Sequence, residues 1–324
     1  MNRQSSLFQE IPIEIIRDIF VNALQEEIIW EAILLDGGLF NTTYIVEYGS
    51  FHKKAVLRLG PVNRHLLMGF EENLMNAEVY TYSVCQTIGV PCSKVLACDT
   101  SKQVIDRDFM IVEYIPSIVM SKADLTEEKR NMLYRQMGIY LTKFHQVTGD
   151  SFGFLSRICS GKKFDKWSGA LIFEVEDMTE RLEKFSGLSA EEAQTIRHQF
   201  EKSRELLDEI RTPHLLHTDL WEGNVLLNRD TLEIAAIIDS DRSMYGDPDF
   251  EFASPWMDNL PLREGYDSII PKSPRPNDAR RRQLYQMFFC LLETYVGCGE
   301  YNNPELYSTR KKQLMEHLRC FLME

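Results

Sequence analysis

The stretch "LLHTDLWEGNVLL", residues 215–227, decides how the chain is read. Apolar runs flank three polar residues, His217, Asp219 and Asn224. Apolar runs of this kind belong to buried strands or helices, so an acid and an amide among them require a reason. Their spacing is H-x-D-x4-N. It sets a carboxylate and an amide on one short loop, facing the same small volume. Phosphoryl transfer needs such a pair: an acid that accepts the proton of an attacking hydroxyl, and oxygen ligands that hold Mg²⁺ on nucleotide phosphates. Asp219 is the candidate base and Asn224 a candidate metal ligand. His217 fits better as a support for the loop, through packing and a hydrogen bond.

The residues that follow strengthen the pattern. "NVLLNRDTLEIAAIID" (224–239) reads as a hairpin with a polar turn at Asn228-Arg229-Asp230. Asp239 comes directly after Ala235-Ala236-Ile237-Ile238, at the end of a buried strand. A carboxylate there returns to the same metal, and Asp239 is the second candidate ligand. The plainer alternative is that Asp239 only starts a turn.

Upstream, the first third of the chain alternates as strands do. "IIWEAILLD" (28–36), "TTYIVEYG" (42–49) and "KKAVLRLG" (53–60) are rich in β-branched and aromatic residues, and turn signals separate them at Asp36-Gly37-Gly38 and Gly49-Ser50. A helix over 70–88 stops at Gly89, with Pro91 beyond it. Two further strands follow at 93–100 and 108–115. From residue 126 the pattern turns helical: a long amphipathic helix over 126–147, then helices over 170–185, 189–210, 278–296 and 308–322. The expected fold class is therefore α+β and bilobal. A small β-rich lobe over 1–115 precedes a larger helical lobe over 116–324 that carries the 224–239 hairpin. Two lobes enclose a cleft, where small-molecule sites tend to lie.

Composition limits the partners. The 324 residues carry a formal net charge of −13, which repels nucleic acid and anionic membranes and suits a cationic small molecule. No apolar stretch approaches membrane-spanning length, and the opening "MNRQSSLFQEIPIEIIRDIF" reads as an amphipathic helix instead of a secretory leader. The seven cysteines include no CxxC pair, so a cytoplasmic location is expected.

Taken together, "HTDLWEGNVLL" and "AIIDSDRSMYGDPDFEFA" resemble the aminoglycoside phosphotransferase family, relatives of choline kinases with a protein-kinase-like fold. His217, Asp219, Leu220, Asn224, Asp239, Gly246, Asp247 and Pro248 occupy the places of its motifs. "LLDGGLFNTTYIVEY", "AVLRLG", "QTIGVPCSKVLA", "MIVEYIPS" and "LTKFHQVTGDSFGFL" resemble other family segments in family order. The resemblance implies ATP or GTP with Mg²⁺ as cofactors. It implies that Gly37 and Gly38 admit phosphates to backbone N–H groups, with Asn41 and Thr42 as further donors; a plain hairpin turn is the alternative there. It implies that Arg58 is the phosphate cation paired with Glu78, for which Glu71 and Glu72 are rivals. Glu113, Tyr114 and Ile115 become the hinge for the base, and Asp247 the acid that props the catalytic loop. Arg58 stands where protein kinases usually carry Lys, and it meets phosphate as a planar fork.

The segment from Asp239 to Gly246-Asp247-Pro248 is too short for a peptide-docking activation loop, so the expected acceptor is a small hydroxylated, amine-bearing molecule. Asp241, Asp258, Glu264 and Asp267 are its candidate anionic contacts, with Trp256 and Tyr266 as candidate stacking partners. The alternatives are a pseudokinase or binding protein on the same fold, and a kinase for a peptide-derived natural product.

Overall fold

In the computed structural model, residues 5–35 and 38–323 are described, and the chain builds two unequal lobes. The N-terminal lobe opens with helix α1 (Ile13–Leu24), which buries Ile16, Ile19 and Phe20 at helical spacing. Five antiparallel strands follow: β1 (Ile29–Leu34), β2 (Thr42–Tyr48), β3 (Lys53–Leu59), β4 (Val95–Asp99) and β5 (Phe109–Glu113). Their order across the sheet is β1-β2-β3-β5-β4, with α2 (Leu74–Ile88) crossing between β3 and β4. Tyr44, Val46, Ala55, Leu57, Leu59 and Ile111 are buried with the α1 face. Helix α2 ends at Gly89 with φ 65°, a left-handed cap that glycine adopts without strain.

The chain leaves this sheet after Glu113 and joins another at β6 (Ser117–Val119). Next come α3 (Glu127–Gln146), β7 (Gly153–Phe154), α4 (Leu155–Cys159), α5 (Trp167–Lys184), α6 (Ala190–Lys202) and α7 (Arg204–Leu207). The segment with the opening stretch then runs through β8 (His214–Leu216), β9 (Val225–Asn228), β10 (Ile234–Ile237) and β11 (Met244–Gly246). Helices α8 (Pro248–Glu251), α9 (Leu260–Asp267), α10 (Asp278–Tyr295) and α11 (Pro304–Met323) complete the lobe, with a π-helical turn over Val296–Glu300 between the last two.

Sequence explains the tightest helix crossing. A Cβ at Gly138 on α3 would lie 2.1 Å from the Leu262 carbonyl, and one at Gly265 on α9 would lie 2.0 Å from the Arg135 carbonyl. Only glycine at both positions lets α3 and α9 approach so closely. A second core centres on α5 and α10, where Trp167, Phe250, Tyr285 and Phe288 are fully buried and Trp167 donates to the Tyr285 hydroxyl. No helix among the described residues is long and apolar enough to cross a membrane.

Candidate active site

The apolar flanks of the opening stretch are strands, and they fix the polar residues between them. Leu215 and Leu216 lie in β8, which pairs with β11 through Met244↔Leu216 and Tyr245↔Leu215. Val225 and Leu227 lie in β9, and Leu220 is buried between the two. The loop after β8 and the segment before β11 are therefore pinned together. The β9–β10 hairpin then brings Asp239 back, because the Ile238 N–H donates to the Asn224 carbonyl at 2.9 Å. Two residues of this corner, Thr218 and Asp239, sit in the left-handed backbone region with φ 64° and 60°. Non-glycine residues hold that conformation only where the surroundings enforce it.

Asp219 and Asn224 meet directly. The Asn224 amide donates to the Asp219 main-chain oxygen at 2.8 Å and to its carboxylate at 3.0 Å. Burial raises the Asp219 carboxyl to about 7, Asp239 adds to the rise, and Arg242 opposes it. His217 is fully buried, packs edge-on against Phe144, and its Nδ1 accepts the Asp219 N–H at 3.3 Å. Burial holds its imidazole below the usual range, which favours the neutral ring.

From the other lobe, Arg58 on β3 reaches Glu78 on α2 and Asp239 in hydrogen-bond contact, and Asp241 at 3.7 Å. Glu78 is buried, whereas its rivals go elsewhere: Glu71 pairs with Arg242 at 2.6 Å, and Glu72 is exposed. Glu78, Asp239 and Asp241 each offer a carboxylate oxygen within 4.8 Å of the others. One guanidinium faces three carboxylates, a surplus of negative charge that suits a divalent cation and its hard-oxygen preference. Burial pushes both Glu78 and Asp241 upward, and Asp239 adds to each.

The remaining expected residues divide. Gly38 stands in a tight turn: a Cβ there would lie 2.7 Å from the Asn41 carbonyl. Gly37 lies outside the described residues. Asn41 lines a cavity of about 230 Å³ together with Phe40, Gly60, Arg64, Glu71 and Asp241. Thr42 requires a correction. Its hydroxyl is buried, donates to the Gln9 carbonyl at 3.0 Å and accepts from Arg107 at 2.9 Å, so its side chain is spent holding the lobe together. At the hinge, the Glu113 N–H donates to the Lys94 carbonyl at 2.8 Å, and the Ile115 carbonyl accepts from the Ser117 hydroxyl at 2.9 Å. Tyr114 is half-buried between them.

Two further expectations change. Among the described residues the Asp247 carboxylate has no hydrogen bond to residues 217–224; it caps α8 and takes hydrogen bonds from Tyr285 at 2.8 Å and Arg275 at 3.1 Å. The prop is Glu251, one turn later, which is fully buried. Its carboxylate accepts the His217 N–H at 3.1 Å and the Thr218 N–H at 2.9 Å, and it meets His145 Nε2 at 3.0 Å. His145 Nδ1 in turn meets the Tyr266 hydroxyl at 2.8 Å. Glu251 was missed, although the signal was available: a lone acid between Phe250 and Phe252. The second change concerns the acceptor contacts. Glu264 is held by Arg135 at 2.7 Å, Asp267 by Arg263 at 2.9 Å, and Tyr266 is buried. Trp256 donates to the Thr218 carbonyl at 3.2 Å. Of the four acids, Asp241 is buried at the cleft corner, Asp267 is half-buried in a pair within α9, and Glu264 and Asp258 are exposed, Glu264 in a surface pair that ties α9 to α3.

Comparison with known proteins agrees with this architecture. A sequence model described as "Phosphotransferase enzyme family" matches residues 31–284. Among solved structures, the gentamicin complex of APH(2")-IIa aligns with a TM-score of 0.63 at 16% identity, covering 95% of this chain and 97% of that one. Plasmodium vivax ethanolamine kinase aligns with a TM-score of 0.62 at 12% identity, covering 92% and 86%. A spectinomycin phosphotransferase bound to ADP and spectinomycin aligns with a TM-score of 0.56 at 13% identity, covering 98% and 100%. At these identities the structural likeness speaks for the fold alone.

Proposed function

Because the chain belongs to the phosphotransferase enzyme family and is a small-molecule kinase, we propose that it moves the γ-phosphate of ATP or GTP to a hydroxyl of a small, amine-bearing acceptor. An aminoglycoside, another antibiotic or an amino alcohol would meet that description. The observation that carries the reading is the convergence of Asp219, Asn224 and Asp239 on one corner of the cleft, opposite Arg58 and Glu78.

In this reading Asp219 orients the acceptor hydroxyl and takes its proton. A carboxyl raised to about 7 is a better base than an ordinary one, and it ionises near neutral pH. Asn224 and Asp239 would hold Mg²⁺, which when bound neutralises charge on the transferring phosphate. Arg58 grips phosphate oxygens while Glu78 fixes its orientation. The turn at Gly38 and Asn41 brings backbone close to the phosphates, and Glu113, Tyr114 and Ile115 border the base. Alignment and charge neutralisation supply most of the rate in such chemistry. The lobes divide at 115/116, between Glu113 of β5 and Ser117 of β6. The amine preference is supported by the net charge of −13. The test is Asp219→Asn, which should keep nucleotide binding and lose transfer by orders of magnitude. Near-normal turnover in that variant sinks the reading.

A further inference from the structure

Glu300 ends the π-helical turn Val296–Glu300 and is fully buried. Neither of its carboxyl oxygens has a hydrogen-bond donor among the described residues. π-Helical turns often mark functional positions because the extra residue re-aims a side chain. Two glycines permit this one: a Cβ at Gly297 would lie 2.6 Å from the Tyr307 nitrogen, and one at Gly299 would lie 2.9 Å from the Tyr295 ring.

The turn aims Glu300 at Glu71, and the two carboxyl groups are in hydrogen-bond contact. Glu71 is itself buried, and its two oxygens accept from Arg242 at 2.6 Å and from the Met68 N–H at 3.0 Å. Arg242 ties this cluster to the cleft. Its carbonyl accepts the Thr218 hydroxyl at 2.8 Å, its guanidinium lies under the Phe40 ring at 5.9 Å, and its charge is felt at Asp219. Arg242 is paired with Glu71, and the other guanidinium acting on Glu300, that of Arg181, is paired with Asp177 at 3.0 Å, so two ionised carboxylates in contact away from water would leave a buried charge uncompensated. One proton removes the conflict: the Glu300 O–H donates to Glu71, whose carboxylate has lone pairs to spare.

We propose that Glu300 is a neutral acid that donates to Glu71, holds the Glu71–Arg242 pair in place, and so acts as a positioning residue for Asp219. The groups facing Glu300 are Glu71, Arg242, Arg181, Tyr295 and Tyr301. Burial and Glu71 push its carboxyl well above the usual range, against Arg242 and Arg181. The positioning role rests on the kinase reading above; the protonation does not.

The experiment compares Glu300→Ala and Glu300→Gln with the unaltered full-length protein, using MgATP and an acceptor it phosphorylates. Glu300→Ala should lower kcat by roughly 10-fold to 100-fold, with the KM for MgATP little changed. Glu300→Gln keeps a donor and no charge, and should restore most of that rate. Infrared spectra at neutral pH should show an un-ionised carboxylic C=O band that Glu300→Gln removes. Three results overturn the proposal: Gln as damaging as Ala, full kcat in the Ala variant, or no band lost in the Gln variant. If Ala fails to fold, the Gln rate and the band still decide. A native protein that phosphorylates no acceptor defeats the kinase reading and the positioning role with it, while the band separately decides the protonation.

Discussion

Glu251→Ala removes the acceptor that holds the loop after β8, which carries Asp219. Three donors lose their partner: the His217 N–H at 3.1 Å, the Thr218 N–H at 2.9 Å and His145 Nε2 at 3.0 Å, all around a fully buried carboxylate. Each buried donor left unsatisfied costs about 1–3 kcal/mol. Water entering the vacated space recovers part of that, so the expected loss is about 3–6 kcal/mol. That is a large share of the ~5–15 kcal/mol of a typical domain. Urea unfolding should show a lower midpoint at an unchanged slope. Glu251→Gln keeps one acceptor and should lose less, about 1–3 kcal/mol. The backbone of residues 217–218 orients Asp219, so turnover in the Gln variant should fall by on the order of 100-fold. A Glu251→Ala protein within about 0.5 kcal/mol of the unaltered chain, with normal turnover, would refute this reasoning.

Three other expectations follow from the geometry. Thr218 holds φ 64° and donates to the Arg242 carbonyl. Thr218→Gly trades ~1–2 kcal/mol of strain relief for about 1 kcal/mol of lost hydrogen bond, whereas Thr218→Val keeps the strain and loses the bond; denaturant unfolding should rank Val clearly below Gly, and the reverse order counts against the account. Asp219 has a folded-state carboxyl raised to about 7, above its unfolded value of ~3.9. The folded state thus keeps its proton longer: the group's relative stability is intact below pH ~4 and is lost as pH rises toward ~7. Asp219→Asn should gain on the order of 1–2 kcal/mol over the unaltered chain across that window, discounted for partial exposure, and a pH-independent difference is the contrary result. Gly138→Ala places a methyl 2.1 Å from the Leu262 carbonyl and should cost about 1–3 kcal/mol; an unchanged melting temperature would show that α3 and α9 can part without penalty.

The parts of the site that are local in sequence were legible in it. Asp219 and Asn224 share one loop, and a hairpin turn returns Asp239, so spacing alone brought the three together. Glu78 took a choice among three acids, and burial on the face of α2 with Ala77, Thr81 and Cys85 makes it. What escaped depends on long-range packing. Thr42 shares the buried phase of β2 with Tyr44, Val46 and Tyr48, a period-two signal that outweighs its place beside the glycine turn. Asp247 sits in the more conspicuous motif, yet the chain must advance to Glu251 before a carboxylate points back at residues 217 and 218. Glu264 looked available because its partner, Arg135, is matched only once α9 lies against α3, whereas Arg263 stands one turn before Asp267 on the same helix, a spacing that sequence does carry.

The central claim is that Asp219 serves transfer of phosphate to a small hydroxylated acceptor. The most direct measurement incubates the protein with MgATP and a panel of aminoglycosides, other antibiotics, choline-like amino alcohols and amino sugars, reading phosphorylated acceptor by mass. The account predicts an acceptor that gains one phosphate, and an Asp219→Asn variant that binds MgATP as before but forms product slower by orders of magnitude. Product formed at an undiminished rate by Asp219→Asn would contradict it.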